Sequence, residues 1–579
     1  MRRTLLSLCL MACAAAAGQP APGDVMPLSE VRAGQRGEVW TVFQGVKPEP
    51  FSVEVSGVVR NALGPGKSII LCRLTDPRVQ DMGAVAGMSG SPLYIDGRFA
   101  GALSYQLQHF ETVRYAGFTP AADMEEVAER VGAGAQAPGA LPDDEGPAPG
   151  ADSASPLSAM RPVFALGGVS PRTTSIMAPR LESLGLSVVA VGGSSQGQQA
   201  GALPVRPGDA VSVALTTGDI TIAGTGTVSR VDGNRVLAFG HPMLGLGEVQ
   251  LPMCSAEVVA ILPSTMESFK IANIGPVIGC ISQDRMSGVS GLLGPGPEMT
   301  DVEVVAGRAG APHRTIHFRA VREKRLAPMI MLTGIVEAVF GSNDSEQGEG
   351  FRIVSTVTFS PTRQVTRESV YAGQQGFLLG MFDFVAALSA ELQNPFEKAL
   401  PRAVQFRVEP LDENPAVTVE RFQVSRTTVR AGDTLQVTLG WRSFQGAADS
   451  RTVDIPVDPS WTGKTLEVLV VPGRVLDELT GHGRAFKPGE LRSFDAYLNA
   501  MKGDRPEDGL CVAVVERSAL FFDQASSTPD APASIARIAG AADSARYRRR
   551  DALVPLWETR ILEGKVSFSN FQKTVRVVE

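Results

Sequence analysis

From residue 37 onward, short runs of alternating apolar and polar residues are cut at close intervals by Gly or Pro. Residues 37–43, 51–55 and 68–74 are such runs, and Leu63-Gly64-Pro65-Gly66 separates two of them. A period of two sends successive side chains to opposite faces of an extended chain, so each run reads as a strand with one face to bury. The chain holds 61 Gly and 40 Pro, with aromatics at only 6%, which fits many turns and favours a β-dominated chain. A mainly β protein is therefore expected.

A single core does not serve 579 residues, so several domains are expected. The net charge of −7 gives no reason to expect nucleic acid as a partner. The first 17 residues read as a signal peptide. Arg2 and Arg3 are basic, an apolar stretch from Leu5 to Ala17 is too short to span a bilayer, and Ala15-Ala16-Ala17 offers small residues for cleavage. Leu10-Met11-Ala12-Cys13 also reads as a lipidation box, so a lipoprotein anchored through Cys13 stands beside plain export. Either way the chain is expected outside the inner membrane, periplasmic, at the cell surface or secreted, with no further membrane span. Export leaves Cys72, Cys254, Cys280 and Cys511 in an oxidising compartment, where Cys254 and Cys280 are close enough in sequence to pair or remain buried thiols.

Composition divides the remainder. Residues 26–132 alternate like strands and end in a short helix near 121–132. Residues 133–158, rich in Gly, Ala, Pro and Asp, read as a disordered linker. Residues 159–400 return to strands, with helices expected from Thr174 to Leu184 and from Phe382 to Leu392. Asp232-Gly233 marks a hairpin turn in this block. Residues 404–475 read as a small β-sandwich and 476–579 as a mixed α/β segment, a default place for a protein partner.

Gly87-Met88-Ser89-Gly90-Ser91-Pro92 is the stretch that carries chemistry. Glycines on both sides of a serine allow a tight turn that exposes a hydroxyl and gathers backbone N–H groups at one point, where an oxyanion would develop. A serine hydroxyl needs a base. Of the five histidines, His241 in Phe239-Gly240-His241-Pro242 comes after an apolar strand and is flanked by Gly and Pro, which suits the rim of a cleft. His313 and His317 share one face of an expected strand, but no third ligand is evident, so no metal is assigned. No cofactor signature is read.

These residues resemble a known family. Gly87–Pro92 (GMSGSP), with Asp96-Gly97-Arg98-Phe99-Ala100-Gly101-Ala102 shortly after it, is similar to the serine motif of the stage IV sporulation protein B peptidase family. Ala238-Phe239-Gly240-His241-Pro242 is similar to its histidine motif. The run Ile278 to Ile281, Asp284-Arg285 and Gly288 to Gly291 resembles the segment downstream of that family's histidine. The resemblance spans roughly 30–375. It implies a serine endopeptidase with a chymotrypsin-like double β-barrel, acting on proteins or peptides, with its own linker among the candidate substrates. It implies Ser89 as nucleophile, His241 as general base, and the N–H groups of Gly87 and Ser89 as oxyanion hole. Asp76 is the best match to the family's acidic residue, and Asp81 is closer but less similar in context. The chain departs from the family in order, because Ser89 precedes His241 by 152 residues (241 − 89), and no PDZ-like module is evident. A serine-bearing half (26–132) ahead of a histidine-bearing half (159–400) is the expected arrangement. A catalytically inactive peptidase fold kept as a binding scaffold in the envelope is the alternative.

Overall fold

The computed structural model describes residues 24–107, 113–132, 157–160, 162–194, 204–262, 268–308, 313–341, 349–482, 493–523, 526–529, 534 and 548–579. The expected signal peptide, most of the expected linker and His109 lie outside these residues.

The chain is mainly β, and its first unit is a closed barrel. Strands β1 (Arg36–Val42), β2 (Pro48–Val59) and β3 (Ile69–Leu74) lead into helix α1 (Pro77–Met82). Then come β4 (Pro92–Ile95), β5 (Arg98–Leu107), β6 (Tyr115–Pro120) and helix α2 (Ala121–Glu129). The six strands pair antiparallel in the closed order β1-β2-β3-β6-β5-β4, with β4 returning to β1. Alternation explains the closure: Val39, Phe51, Val53, Val55, Ile70, Cys72, Leu93, Leu103 and Phe118 all point inward to one core.

Strand β7 (Leu157–Ala159) edges this barrel on β5. Next comes a parallel β-α-β unit of β8 (Val163–Gly167), α3 (Pro171–Glu182) and β9 (Ser187–Ser194). The second barrel uses β10 (Ala210–Gly218), β11 (Thr221–Asp232), β12 (Arg235–Ala238), β13 (Gly247–Leu262), β14 (Phe269–Arg285) and β15 (Gly288–Leu293). Its strands also pair antiparallel and close in the order β10-β11-β12-β15-β14-β13. Counted from the first strand of each, the two barrels share one order, 1-2-3-6-5-4. This is the chymotrypsin-like double barrel that the sequence leads one to expect.

Beyond the barrel, the sheet is extended from β10 by β17 (Arg314–Val321) and β16 (Met299–Ala306). It continues through β20 (Ala403–Leu411), β18 (Gly350–Ser360) and β19 (Arg363–Ala372). Helices α4 (Ala327–Phe340) and α5 (Gly373–Leu392) pack on it. Alone among the described residues, α5 is a helix long and apolar enough to cross a membrane, and about half of its apolar window (47%) is buried inside the fold. The C-terminal region is organised differently from expectation. Residues 403–411 belong to the preceding sheet, paired to β16 and β18. The described strands from 417 onward form one two-sheet sandwich, since Val437, Leu439 and Ile455 share a core with Val468, Val512 and Val577. Cys254 and Cys280 are both thiols, as are Cys72 and Cys511. Although β13 and β14 are neighbours, Cys280 stands opposite Pro252 and Cys254 opposite Val277, so the two sulfurs are out of register.

The two barrels interlock. Helix α2 places Met124, Val127 and Ala128 against Trp40, Tyr94 and Phe99 of the first barrel and Leu237 of the second. At the centre, Gly90 has φ +93° and lies against the backbone of β11 and of the exit from β12. A Cβ there would sit 2.1 Å from Thr227 O and 2.4 Å from Phe239 N. Gly90→Ala is therefore expected to cost about 3 kcal/mol or more in denaturant unfolding, from backbone strain and collision together. A loss below about 1 kcal/mol would mean the barrels do not meet this closely.

Candidate active site

Ser89 and His241 occupy equivalent places. Ser89 lies in the connection between the third and fourth strands of the first barrel, and His241 in the same connection of the second. The serine turn owes its shape to Gly87 (φ +96°) and Gly90. Within it, Met88 N–H donates to Val85 O at 2.8 Å, Gly90 N–H to Leu103 O at 2.7 Å, and Ser91 N–H to Met88 O at 3.0 Å. The N–H groups of Gly87 and Ser89 have no backbone acceptor among the described residues.

Strand β11 grips this turn from the second barrel. Thr227 N–H donates to Ser89 O at 2.8 Å. Thr227 Oγ1 donates to Gly87 O at 3.1 Å and Ser229 Oγ to Gly90 O at 2.7 Å. The histidine loop is fixed in return: Thr119 Oγ1 of β6 donates to Gly240 O at 2.6 Å. Phe239 (φ +69°) and Gly240 (φ +68°) are consecutive left-handed residues that turn the chain sharply after β12. For Phe239 that conformation is strained, and the ring is wholly buried against the His241 imidazole, centroids 6.1 Å apart and edge-on.

The two serines of the motif differ. Ser91 Oγ donates to Met88 O at 2.6 Å and lies 3.5 Å from Thr227 Oγ1. Ser89 Oγ is buried, with the residue 1% exposed, and has no hydrogen-bond partner among the described residues. His241 is 0% exposed, and its Nε2 is likewise without a partner among them. Its Nδ1 stands 2.8 Å from Pro242 O. Because a carbonyl only accepts, Nδ1 carries the proton and Nε2 presents a lone pair, the form a general base requires. Burial pulls the imidazole pKa down to about 4, with the Pro242 carbonyl opposing that shift, so the ring is neutral at pH 7.

Asp76 is engaged by Arg78. It caps α1, with Pro77 in the first turn, and its carboxylate accepts from Arg78 N–H at 2.9 Å, Nε at 3.2 Å and Nη2 at 3.0 Å. Arg78 also reaches Glu49 Oε2 at 3.0 Å and Pro50 O at 2.7 Å. The Arg78 hydrogen bonds hold the Asp76 carboxyl below its usual range. Among the described residues no carboxylate bonds His241, and the Pro242 carbonyl takes the orienting position at Nδ1.

A residue to which sequence reasoning gives no role holds the histidine loop. Asp284, buried on β14, accepts N–H bonds from Met243 at 2.7 Å, Leu244 at 2.8 Å and Leu246 at 3.4 Å. Its carboxylate thus clamps the short stretch just after Pro242. The Asp284-Arg285 pair within the family-like run is the available signal. Of the other histidines, His317 is exposed on β17, with Nε2 3.8 Å from Glu303 Oε1. No group of three His, Cys, Asp or Glu able to hold a metal occurs among the described residues.

Asp76→Ala removes a helix cap and should lower stability by about 1 kcal/mol in thermal or denaturant unfolding. It should leave the reactivity of Ser89 toward a fluorophosphonate within about three-fold of the parent. A loss of that reactivity by roughly a thousand-fold without unfolding would put Asp76 in the triad.

Residues 15–119 match the family model of the SpoIVB peptidase S55, a span that contains β1 to β5, most of β6 and the serine turn. The match stops short of His241 and the run after it, so it covers less of the chain than the motif resemblance. No curated protein and no solved structure matches the chain. Through this N-terminal barrel the chain is similar to the SpoIVB peptidase S55 family, a likeness that points to a peptidase.

Proposed function

We propose that this protein is an exported serine endopeptidase in which Ser89 and His241 act together across the barrel interface. One observation carries the reading. Ser89 Oγ and His241 Nε2 are both buried without a partner among the described residues, on two loops locked to each other by backbone contacts. Buried polar atoms without partners cost stability, and two of them on facing loops call for a ligand or a reaction to explain them. In the reaction, Ser89 Oγ attacks a peptide carbonyl and His241 Nε2 takes its proton. The tetrahedral oxyanion is received by the N–H groups of Gly87 and Ser89. His241 then protonates the leaving amine, and water releases the acyl group from Ser89 by the reverse use of the same base. The two side chains are not hydrogen-bonded here, and such bonds commonly tighten only with substrate.

The substrate is a protein or peptide, and the Gly/Ala/Pro/Asp-rich residues 133–158 have a composition that suits self-cleavage. Export, free or through a lipidated Cys13, is inferred from the signal-like N-terminus, and the C-terminal sandwich is the place for a protein partner. The near-complete burial of both side chains favours a second reading, an inactive peptidase fold used as a scaffold.

Fluorophosphonate labelling separates the two. Labelling of the parent protein should be lost in Ser89→Ala and kept in Ser91→Ala. Label that persists in Ser89→Ala overturns the nucleophile, and an unlabelled parent protein supports the scaffold. The pH dependence is set by the imidazole: above a pKa of about 4 the ring is neutral and able to accept a proton, and below it that capacity is lost. The acid limb of the labelling rate should therefore lie near pH 4 and not near the ordinary histidine value of about 6.5.

A further inference from the structure

The hairpin of β13 and β14 is longer than the barrel it closes. Its paired residues run from Gly247 and Asp284 out to Leu262 and Phe269. The outer part leaves the second barrel and docks on the first by two backbone bridges. Gly45 and Val258 exchange N–H···O bonds of 2.7 and 2.9 Å. Ala86 N–H donates to Ser268 O at 2.8 Å, and Lys270 N–H donates to Ala86 O at 2.9 Å. Val42, Ala256, Val258 and Ala272 seal the contact. The outer end of the hairpin thus pairs with the residue immediately before the serine turn.

Lys270 lies in that contact. Its stem covers Gly87, so closely that a Cβ on Gly87 would meet Lys270 Cβ, Cδ and Cγ at 3.0–3.2 Å. Its Nζ donates to Thr41 Oγ1 at 2.9 Å. The position of Thr41 is informative. In the β1–β4 ladder Gly37 pairs with Ile95 and Val39 with Leu93, so continuing that register by two residues sets Thr41 opposite Ser91. The side chain therefore touches the serine turn at its entrance and reaches the strand beside its exit. A buried amine normally finds a carboxylate. Among the described residues this one does not: Thr41 faces it from β1, Ala86 and Gly87 from the serine side, and Ile261 from β13, and none of these is charged.

We propose that Lys270 is a positioning residue of the peptidase site, through which the docked hairpin braces Gly87 and sets the oxyanion N–H groups in place. The proposal rests on the reading of Ser89 as nucleophile. Burial alone brings the amine down to a pKa of about 7. Below that value the charged form is a stronger donor to Thr41 and adds a positive field beside the oxyanion turn, and above it both are lost. Retaining an unpaired, desolvated amine in a protein contact is costly, and such groups concentrate at functional sites.

The test compares fluorophosphonate labelling of the full chain with that of Lys270→Met, which keeps an unbranched stem over Gly87 and removes the amine. Labelling of Ser89 should slow at least about ten-fold in Lys270→Met, and the parent protein's fall in rate as pH rises through about 7 should disappear. Folding is checked by thermal unfolding, where loss of an unpaired buried charge should leave the midpoint equal or higher. Should Lys270→Met fail to fold, Thr41→Val removes the acceptor of the charged amine and should slow labelling while moving the limb near pH 7 to lower pH. A parent-like rate and pH profile in the folded variant overturns the role of Lys270 while Ser89 stands. Label that survives in Ser89→Ala, or a parent protein that takes no label, overturns the reading of the site and this proposal with it.

Discussion

The contact of Gly90 with the carbonyl of Thr227 and the amide of Phe239 governs the arrangement around it. Each barrel closes through its own strand pairing, so closure of neither sheet requires the other. The requirement comes from the turn between the third and fourth strands of each. A residue without a side chain at position 90 lets the two turns approach at backbone distance, and three bonds from Thr227 and Ser229 then fix the serine turn. Through Thr119 the first barrel fixes Gly240 in exchange. Ser89 and His241 are therefore held by a reciprocal grip, with precision that comes from main chain and not from flexible side chains.

Burial is the second constraint. It leaves the imidazole neutral and strips Ser89 of competing partners, while the Pro242 carbonyl selects the tautomer. The same burial lowers the Lys270 amine toward neutrality. Three groups that would be unremarkable in water thus acquire distinct behaviour from one dry interface. An orienting carbonyl at Nδ1 is a weaker electrostatic partner for an imidazolium than a carboxylate would be.

Much of this is legible in the sequence where local geometry leaves its own residue signature. Gly87, Gly90 and Gly240 announce backbone that only glycine adopts cheaply, and the alternation of residues 37–74 announces the first barrel. Ser89 stands out from Ser91 by its geometry only in three dimensions, because Ser91 is hydrogen-bonded within its own turn. Asp76 carries two readings in the sequence. Asp-Pro is a helix-cap signature as much as a match to an acid, and the cap is what the fold uses. Asp284 is marked in the sequence only by its place in the family-like run, and its role is not legible there because it serves amides about forty residues away. Helix α4 is apolar on nearly every face, so it has no 3.6-residue periodicity to read. The expected boundary near 404 fails because a strand's sheet is decided by its partners and not by its own residues.

The shared strand order of the two barrels has a consequence for how such a chain arises. A fold made of two units with one topology, each offering the same connection to a common seam, is close to exchange-symmetric. Swapping which unit is synthesised first changes the loop that joins them and leaves the seam intact. The seam is then indifferent to chain order, and the 152 residues (241 − 89) by which serine precedes histidine are no obstacle to placing both turns there.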